Sequence, residues 1–189
     1  MTLTLTTERN LIERARDGDA DAFESLIEAY TPQLYTVVRR LAQDEQQTEM
    51  VLQETFWRAW RALSRYQTDK PFLPYLVTIA ANYQRDLWRK EHRNFDLDSL
   101  TYDIHDDQVS LQEQAENQQF LGELGEIIQK MPPAYRMVIT LRYDTEFSYE
   151  QIAETLDMPI NTVRTHLRRA KEWLRINMGD REWMNWNTT

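Results

Sequence analysis

Between Asn94 and Gln118 the chain carries seven acidic residues and not one lysine or arginine. Such a stretch has no cations to pair with, and its like charges repel, so it resists joining a packed core. It divides the 189 residues into two parts, each long enough for a small core of its own. Residues 1–93 hold 13 basic and 14 acidic groups, residues 94–129 hold 0 and 9, and residues 130–189 hold 9 and 8. The formal charge of -9 therefore sits in the middle, and the flanks are free to present basic faces. That location matters because a nucleic-acid partner requires clustered lysine and arginine to neutralise phosphate.

With only 4 glycines and 6 prolines, against abundant Leu, Ala, Glu, Gln and Arg, the chain favours helices over strands joined by tight turns. The expected fold is all-α: two small helical domains joined by an acidic flexible linker. Cysteine is absent, which excludes disulfides, thiolate metal sites and cysteine nucleophiles. Residues 1–10 lack a basic segment followed by an apolar run, and no stretch approaches the roughly 20 apolar residues that span a bilayer. A cytoplasmic protein without membrane insertion is expected.

Helical periodicity starts at Leu11, Ile12 and Ala15 and is closed by Gly18. Asp19 or Asp21 can cap the next run, in which Phe23, Leu26, Ile27, Tyr30 and Leu34 recur before Val37, Val38 and Leu41, with Pro32 expected to perturb its middle. Asp44 and Gln47 form a capping-box pattern ahead of Met50, Val51, Leu52, Phe56, Trp57, Trp60 and Leu63. That helix should end near Tyr66. Loop chemistry follows over 67–71, and Pro74 suits the first turn of a helix running to about Arg93. The boundaries so read are a first domain over 1–94, a linker over 95–118, a second domain over 119–178 and a tail over 179–189. Apolar spacing resumes at Phe120, Leu121, Leu124, Ile127 and Ile128.

In the second domain Ser148 and Gln151 stand three apart at the head of a short run with Ile152, Ala153 and Leu156 facing inward. Asp157, Met158 and Pro159 interrupt it. A second run then places Ile160, Val163, Leu167, Ala170 and Leu174 on one side. Two short helices with a tight turn are a helix-turn-helix pattern. The other side of the second helix carries Arg164, Arg168, Lys171 and Arg175, with Arg169 adjacent and Asn161, Thr162 and Thr165 near its start. In a major groove the N-terminal turn would approach base edges and the later cations would reach phosphates. The same cations would serve a solvated face, and spacing alone leaves both uses open.

The blocks GDADAFESLIEAYTPQLY, LQETFWRAWRAL, RYQTDKPFLPYLVTIAANYQRDLWRK, MPPAYRMVITLRY and FSYEQIAETLDMPINTVRTHLRRAKEWL resemble, in order, the sigma-70 family. The resemblance is to its shortest members, the extracytoplasmic-function (ECF) sigma factors, and omits only the linker and the tail. It implies a promoter-recognition subunit of RNA polymerase, with one domain for the melted downstream promoter element and one for the duplex upstream element. Both domains would also dock on the polymerase core. It places Leu52, Gln53, Glu54 and Phe56 at the core polymerase contact, although Leu52 and Phe56 equally suit core packing. It places Tyr66, Lys70 and Phe72 where a base is captured, and Asn82, Arg85, Asp86, Arg89 and Lys90 where the opened strand is tracked. Upstream contacts fall on Asn161, Thr162, Arg164, Thr165, Arg168, Arg169 and Lys171. Aromatic platforms suit strand opening, and Phe72, Tyr75, Tyr83 and Trp88 are concentrated here, though at least half are expected in the core. Two positions depart from the family pattern: Met50, where an acidic residue is usual, and Asn161, where a small glycine is usual.

The INTVRTHL segment also resembles the recognition helix of LuxR-type regulators, which would act without being a polymerase subunit. An enzyme is not expected. Three histidines, no Gly-rich phosphate loop and no HExxH pattern leave no catalytic set. No cofactor and no metal site are expected either, because the linker carboxylates around His105 suit solvation. The resemblance further implies an anti-sigma partner. Trp183 and Trp186 of the tail are costly to leave in water, so they invite docking on the second domain or on a partner.

Overall fold

The computed structural model describes residues 4–66, 71–91 and 124–178. Lys70, His105, the 95–118 linker, residues 119–123 and the tail with Trp183 and Trp186 lie outside the described residues. The chain divides into two compact units, Met1–Asn94 and Phe95–Thr189. All regular elements among the described residues are helical.

In the first unit α1 (Leu5–Arg16) is capped by the Thr4 hydroxyl, which accepts from the Thr7 backbone N–H. It ends where Gly18 adopts φ +94°, a left-handed conformation costly for residues with a Cβ. The Gly18 N–H then bonds the Ala15 carbonyl and the Asp19 N–H that of Arg14, satisfying carbonyls the helix end would leave bare. Asp19 caps α2 (Ala20–Leu41) through the Ala22 N–H at 3.0 Å.

The α2 helix passes through Pro32 without interruption, contrary to the expected perturbation. Pro32 and Glu28 both lie on the exposed side, where water can take the carbonyl that the missing N–H would have bonded. Leu26, Tyr30, Leu34, Val37 and Val38 hold the opposite side in the core. Each fully buried leucine contributes roughly 1.5–3 kcal/mol relative to exposure, so this side outweighs one proline.

Asp44 caps α3 (Glu45–Ala62), accepting from the Gln47 N–H at 2.7 Å. The Gln47 side chain reaches back to the Gln43 N–H and also accepts from Gln84 of α4 (Phe72–Glu91), an amide fully enclosed in the unit. A 3-10 turn over Leu63–Arg65 leads to Tyr66. The α2 helix packs against α1, α3 and α4, which places the core around it.

In the second unit, helix α5 over 124–130 precedes α6 (Pro133–Tyr143), α7 (Tyr149–Leu156) and α8 (Ile160–Met178). Both α6 and α7 pack on α8. Buried Arg136 joins α6 to α5 by donating from Nη1 to the Gln129 carbonyl at 2.7 Å and to the Gln129 side chain at 3.0 Å. Burial lowers its pKa to about 10, still a cation at neutral pH. No helix of the described residues is long and apolar enough to cross a membrane.

Candidate nucleic-acid interface

The turn between α7 and α8 is set by local chemistry. Ser148 accepts from the Gln151 N–H at 3.1 Å and the Gln151 side chain accepts from the Ser148 N–H at 2.7 Å, a closed capping box. Glu150 in the same turn is held below the usual carboxylate range, first by its own backbone N–H, then by Ser148, with attraction from Arg164 added. At the other end Asp157 takes φ +50°, and the Met158 N–H closes on the Ala153 carbonyl. Aspartate tolerates this left-handed conformation better than most residues.

Helix α8 buries Val163, His166, Leu167, Ala170 and Leu174 and leaves Arg164, Arg168 and Arg175 exposed. The Arg168 side chain is 71% exposed and meets Glu172 only at 3.9 Å. Such a surface pair holds the guanidinium weakly. Arg164 donates to the Asn161 side chain at 3.2 Å, and the Thr165 hydroxyl donates to the Asn161 carbonyl. Asn161 thus holds the first arginine of the face through its side-chain oxygen. Arg169 donates to the Tyr135 hydroxyl at 3.3 Å, and Lys171 lies 5.8 Å from the Tyr143 ring centre. Both are half-buried, whereas Thr162 and Thr165 flank the exposed N-terminal turn.

His166 was not marked by the charged pattern around it. It lies buried with its ring 5.4 Å from that of Tyr135. Its spacing of three from Val163 and four from Ala170 is the signal that places it on the apolar side.

On α4, Asn82, Arg85, Asp86 and Arg89 fall at helical spacing on one face, with Lys90 beside them. Arg89 and Lys90 are exposed. The Arg85 side chain is only 12% exposed and stands 3.9 Å from Asp86. Phe72 and Trp88 are enclosed, while Tyr75 and Tyr83 remain half-buried. Tyr66, Phe72 and Tyr75 form a compact aromatic cluster with ring centres 4.6 to 5.7 Å apart. Arg58 stacks at 4.5 Å over Tyr83 and pairs with Glu54 at 2.7 Å, so α3 and α4 are bridged by a cation the sequence did not single out.

Four of the residues expected at contacts are core side chains. Leu52, Phe56, Tyr66 and Phe72 are between 0% and 9% exposed, so they support the surface from beneath instead of forming it. The reverse correction applies to Met50 and Trp57, read as part of the apolar run. They are 41% and 51% exposed. Seven residues apart, they lie on the side of α3 away from Thr48, Leu52, Thr55 and Ala59, beside exposed Gln53 and half-buried Glu54. Arg61 covers the Trp57 ring at 4.6 Å.

A helix-turn-helix with an exposed arginine face, carried on a chain with a second helical unit of its own, defines a two-unit helical protein of DNA-binding type. The model of sigma-70 region 2 matches residues 26–94 and that of sigma-70 region 4 matches residues 121–174. The chain is 33% identical over 175 residues to the ECF RNA polymerase sigma-E factor of Escherichia coli K12, covering 88% of this chain and 91% of that protein. It is 29% identical over 178 residues to the ECF sigma factor SigW of Bacillus subtilis, covering 89% and 95%. Among solved structures, CnrH in complex with the cytosolic domain of CnrY aligns with TM-score 0.60 at 25% identity over 89% of this chain and 94% of that one. The sigma factor RpoE in complex with the anti-sigma factor NepR from Bartonella quintana shares the fold, with TM-score 0.63 at 22% identity over 84% and 98%. The chain belongs to the ECF sigma factors of the sigma-70 family. The region 2 match occupies the part of the chain where a LuxR-type regulator would carry a receiver or ligand domain, so that alternative is set aside.

Proposed function

We propose that this ECF sigma factor directs core RNA polymerase to promoters bearing two elements. In this reading Arg164, Thr165 and Arg168 of α8, with Asn161 and Thr162 ahead of them, read the upstream duplex. Arg169 and Lys171, tied to tyrosines, set register on phosphates. Asn82, Arg85, Asp86, Arg89 and Lys90 track the opened downstream strand, and the loop that carries Lys70, anchored by buried Tyr66 and Phe72 at its ends, captures an extruded base. The observation that carries the reading is the division of α8 into a fully packed apolar side and an exposed arginine side.

Gln53 and Glu54, flanked by exposed Met50 and Trp57, supply the polymerase-facing surface, held in place by Leu52 and Phe56 below. An apolar ring and thioether amid polar groups suit a protein contact. Among the solved neighbours CnrH is held by the cytosolic domain of CnrY and the Bartonella sigma factor RpoE by the anti-sigma factor NepR, which supports an anti-sigma partner for this chain too. The work is binding in the cytoplasm, without a covalent step or cofactor: the two units recognise separate DNA elements, and the reach of the segment joining them makes element spacing part of the specificity.

The test is copurification with core polymerase followed by transcription from a supercoiled template. Promoter-dependent transcripts with this chain as sole specificity subunit are expected. Their absence, with upstream DNA binding intact, would reduce the protein to a regulator.

A further inference from the structure

The exposed side of α8 begins with two residues that are joined to each other. Arg164 donates through Nη1 to the Asn161 side-chain oxygen at 3.2 Å, reaching back by one turn of the helix. Long side chains on a helix lean toward its N-terminus, so this bond sets the guanidinium over the first turn of α8. The backbone beneath is fixed as well. The Thr165 hydroxyl donates to the Asn161 carbonyl at 2.9 Å, and the Thr162 and Val163 N–H groups bond the Pro159 carbonyl at 2.9 and 3.2 Å. From the first turn of α7 the Glu150 carboxylate adds a weaker, solvent-screened attraction for the same guanidinium. Arg164 is thus placed at the end of α8 that a helix-turn-helix turns toward base edges.

What this pair can recognise follows from what each group has left to offer. A guanidinium donates and cannot accept, so the amide atom that faces it is the oxygen of Asn161. Toward a ligand there remain the Asn161 NH2 and the other N–H groups of Arg164, which are donors around a fixed positive charge. Both residues are exposed, so a duplex can reach them. An asparagine by itself reads adenine, accepting from N6 and donating to N7. Here the adenine amino group would lie beside the guanidinium, a donor against a cation. Cytosine meets the same obstacle through its N4 amino group, and thymine offers a single acceptor beside a methyl. Guanine presents two adjacent acceptors, O6 and N7, which is the edge that a set of donors matches.

We infer that Asn161 is the specificity-determining residue of the upstream contact, forming with Arg164 an all-donor pair that selects a guanine at one position of the element. This rests on the reading of α8 as the duplex-reading helix. Asn161 restricts the guanidinium before DNA arrives, which lowers the rotamer freedom that a loose arginine gives up on binding. Release of the guanidinium is expected to lower guanine preference at that position about tenfold.

The experiment uses holoenzyme reconstituted with the full chain and duplexes randomised across a promoter-length window. Bound duplexes are sequenced and base preference is read position by position. The wild type is expected to enrich guanine at an upstream position that Arg164→Ala weakens. Asn161→Ala should lower the enrichment at that same position about tenfold while neighbouring upstream positions keep theirs. A helix that had merely lost stability would erode every upstream position together. The double variant should lose less than the two single losses combined, because the residues act as one unit. Enrichment of any other base at the Arg164-dependent position overturns the inference. So does an Asn161→Ala preference equal to wild type, an equal erosion of all upstream positions, or strict additivity in the double variant. Should the wild type show no upstream preference at all, the duplex-reading assignment of α8 itself falls and the inference with it.

Discussion

Helices α8 and α4 both bear arginines proposed to meet DNA, but they commit them differently. On α8, Arg164 and Arg168 stand exposed, one hydrogen-bonded to the neighbouring Asn161 and the other loosely paired with Glu172. On α4, Arg85 is tucked in beside Asp86, and Phe72 and Trp88 are enclosed. The recognition helix therefore displays its chemistry and needs little beyond a groove to use it. The α4 side relies on a scaffold: a ring cluster with Tyr66, a glutamine pair between α3 and α4, and the Arg16 side chain of α1 on the Tyr66 carbonyl. A duplex offers a rigid, regular edge to read, whereas an opened strand must be caught by a surface already in position.

That contrast can be broken from the packing side first. Leu167→Ala, at a position 3% exposed beneath the arginine face, should cost the second unit about 3 kcal/mol and lower its urea midpoint, with the first unit unmoved. Equal loss in both units would mean they do not fold separately. The next effect concerns chemistry alone. Arg164→Ala with Arg168→Ala should lower discrimination between the upstream element and scrambled duplex by about 100-fold, at unchanged thermal stability, because each base-reading contact is worth roughly 1–3 kcal/mol. Fluorescence anisotropy on both duplexes measures it, and unchanged discrimination would move recognition off α8. The smallest effect lies in the turn. Asp157→Gly relieves a left-handed non-glycine residue and should stabilise the second unit by about 1 kcal/mol, seen as a higher melting temperature with upstream binding retained.

The helix-turn-helix was legible because its signals are local. Ser148 and Gln151 are three residues apart and bond each other, and the apolar set of α8 repeats at helical spacing. The surface of α3 was less so. Met50 and Trp57 count as apolar in any pattern, but they fall on the side that no neighbouring helix covers, while Leu52 and Phe56 fall on the side that α2 and α4 enclose. Hydrophobicity marks a residue as able to be buried without saying which face meets a partner. Arg16 was invisible for another reason: its acceptors are backbone carbonyls 48 and 50 residues away, which no side-chain pattern encodes.

The sequence by itself determined helical class, the charge division, the caps and the arginine face of α8, since each follows from spacings of three or four residues along one helix. The tertiary structure decided which apolar side chains form the core, carried α2 unbroken through Pro32, and brought Arg16 of α1 onto the Ser64 and Tyr66 carbonyls. Those outcomes depend on contacts between residues far apart in the chain, whose free energy exists only once the helices have packed.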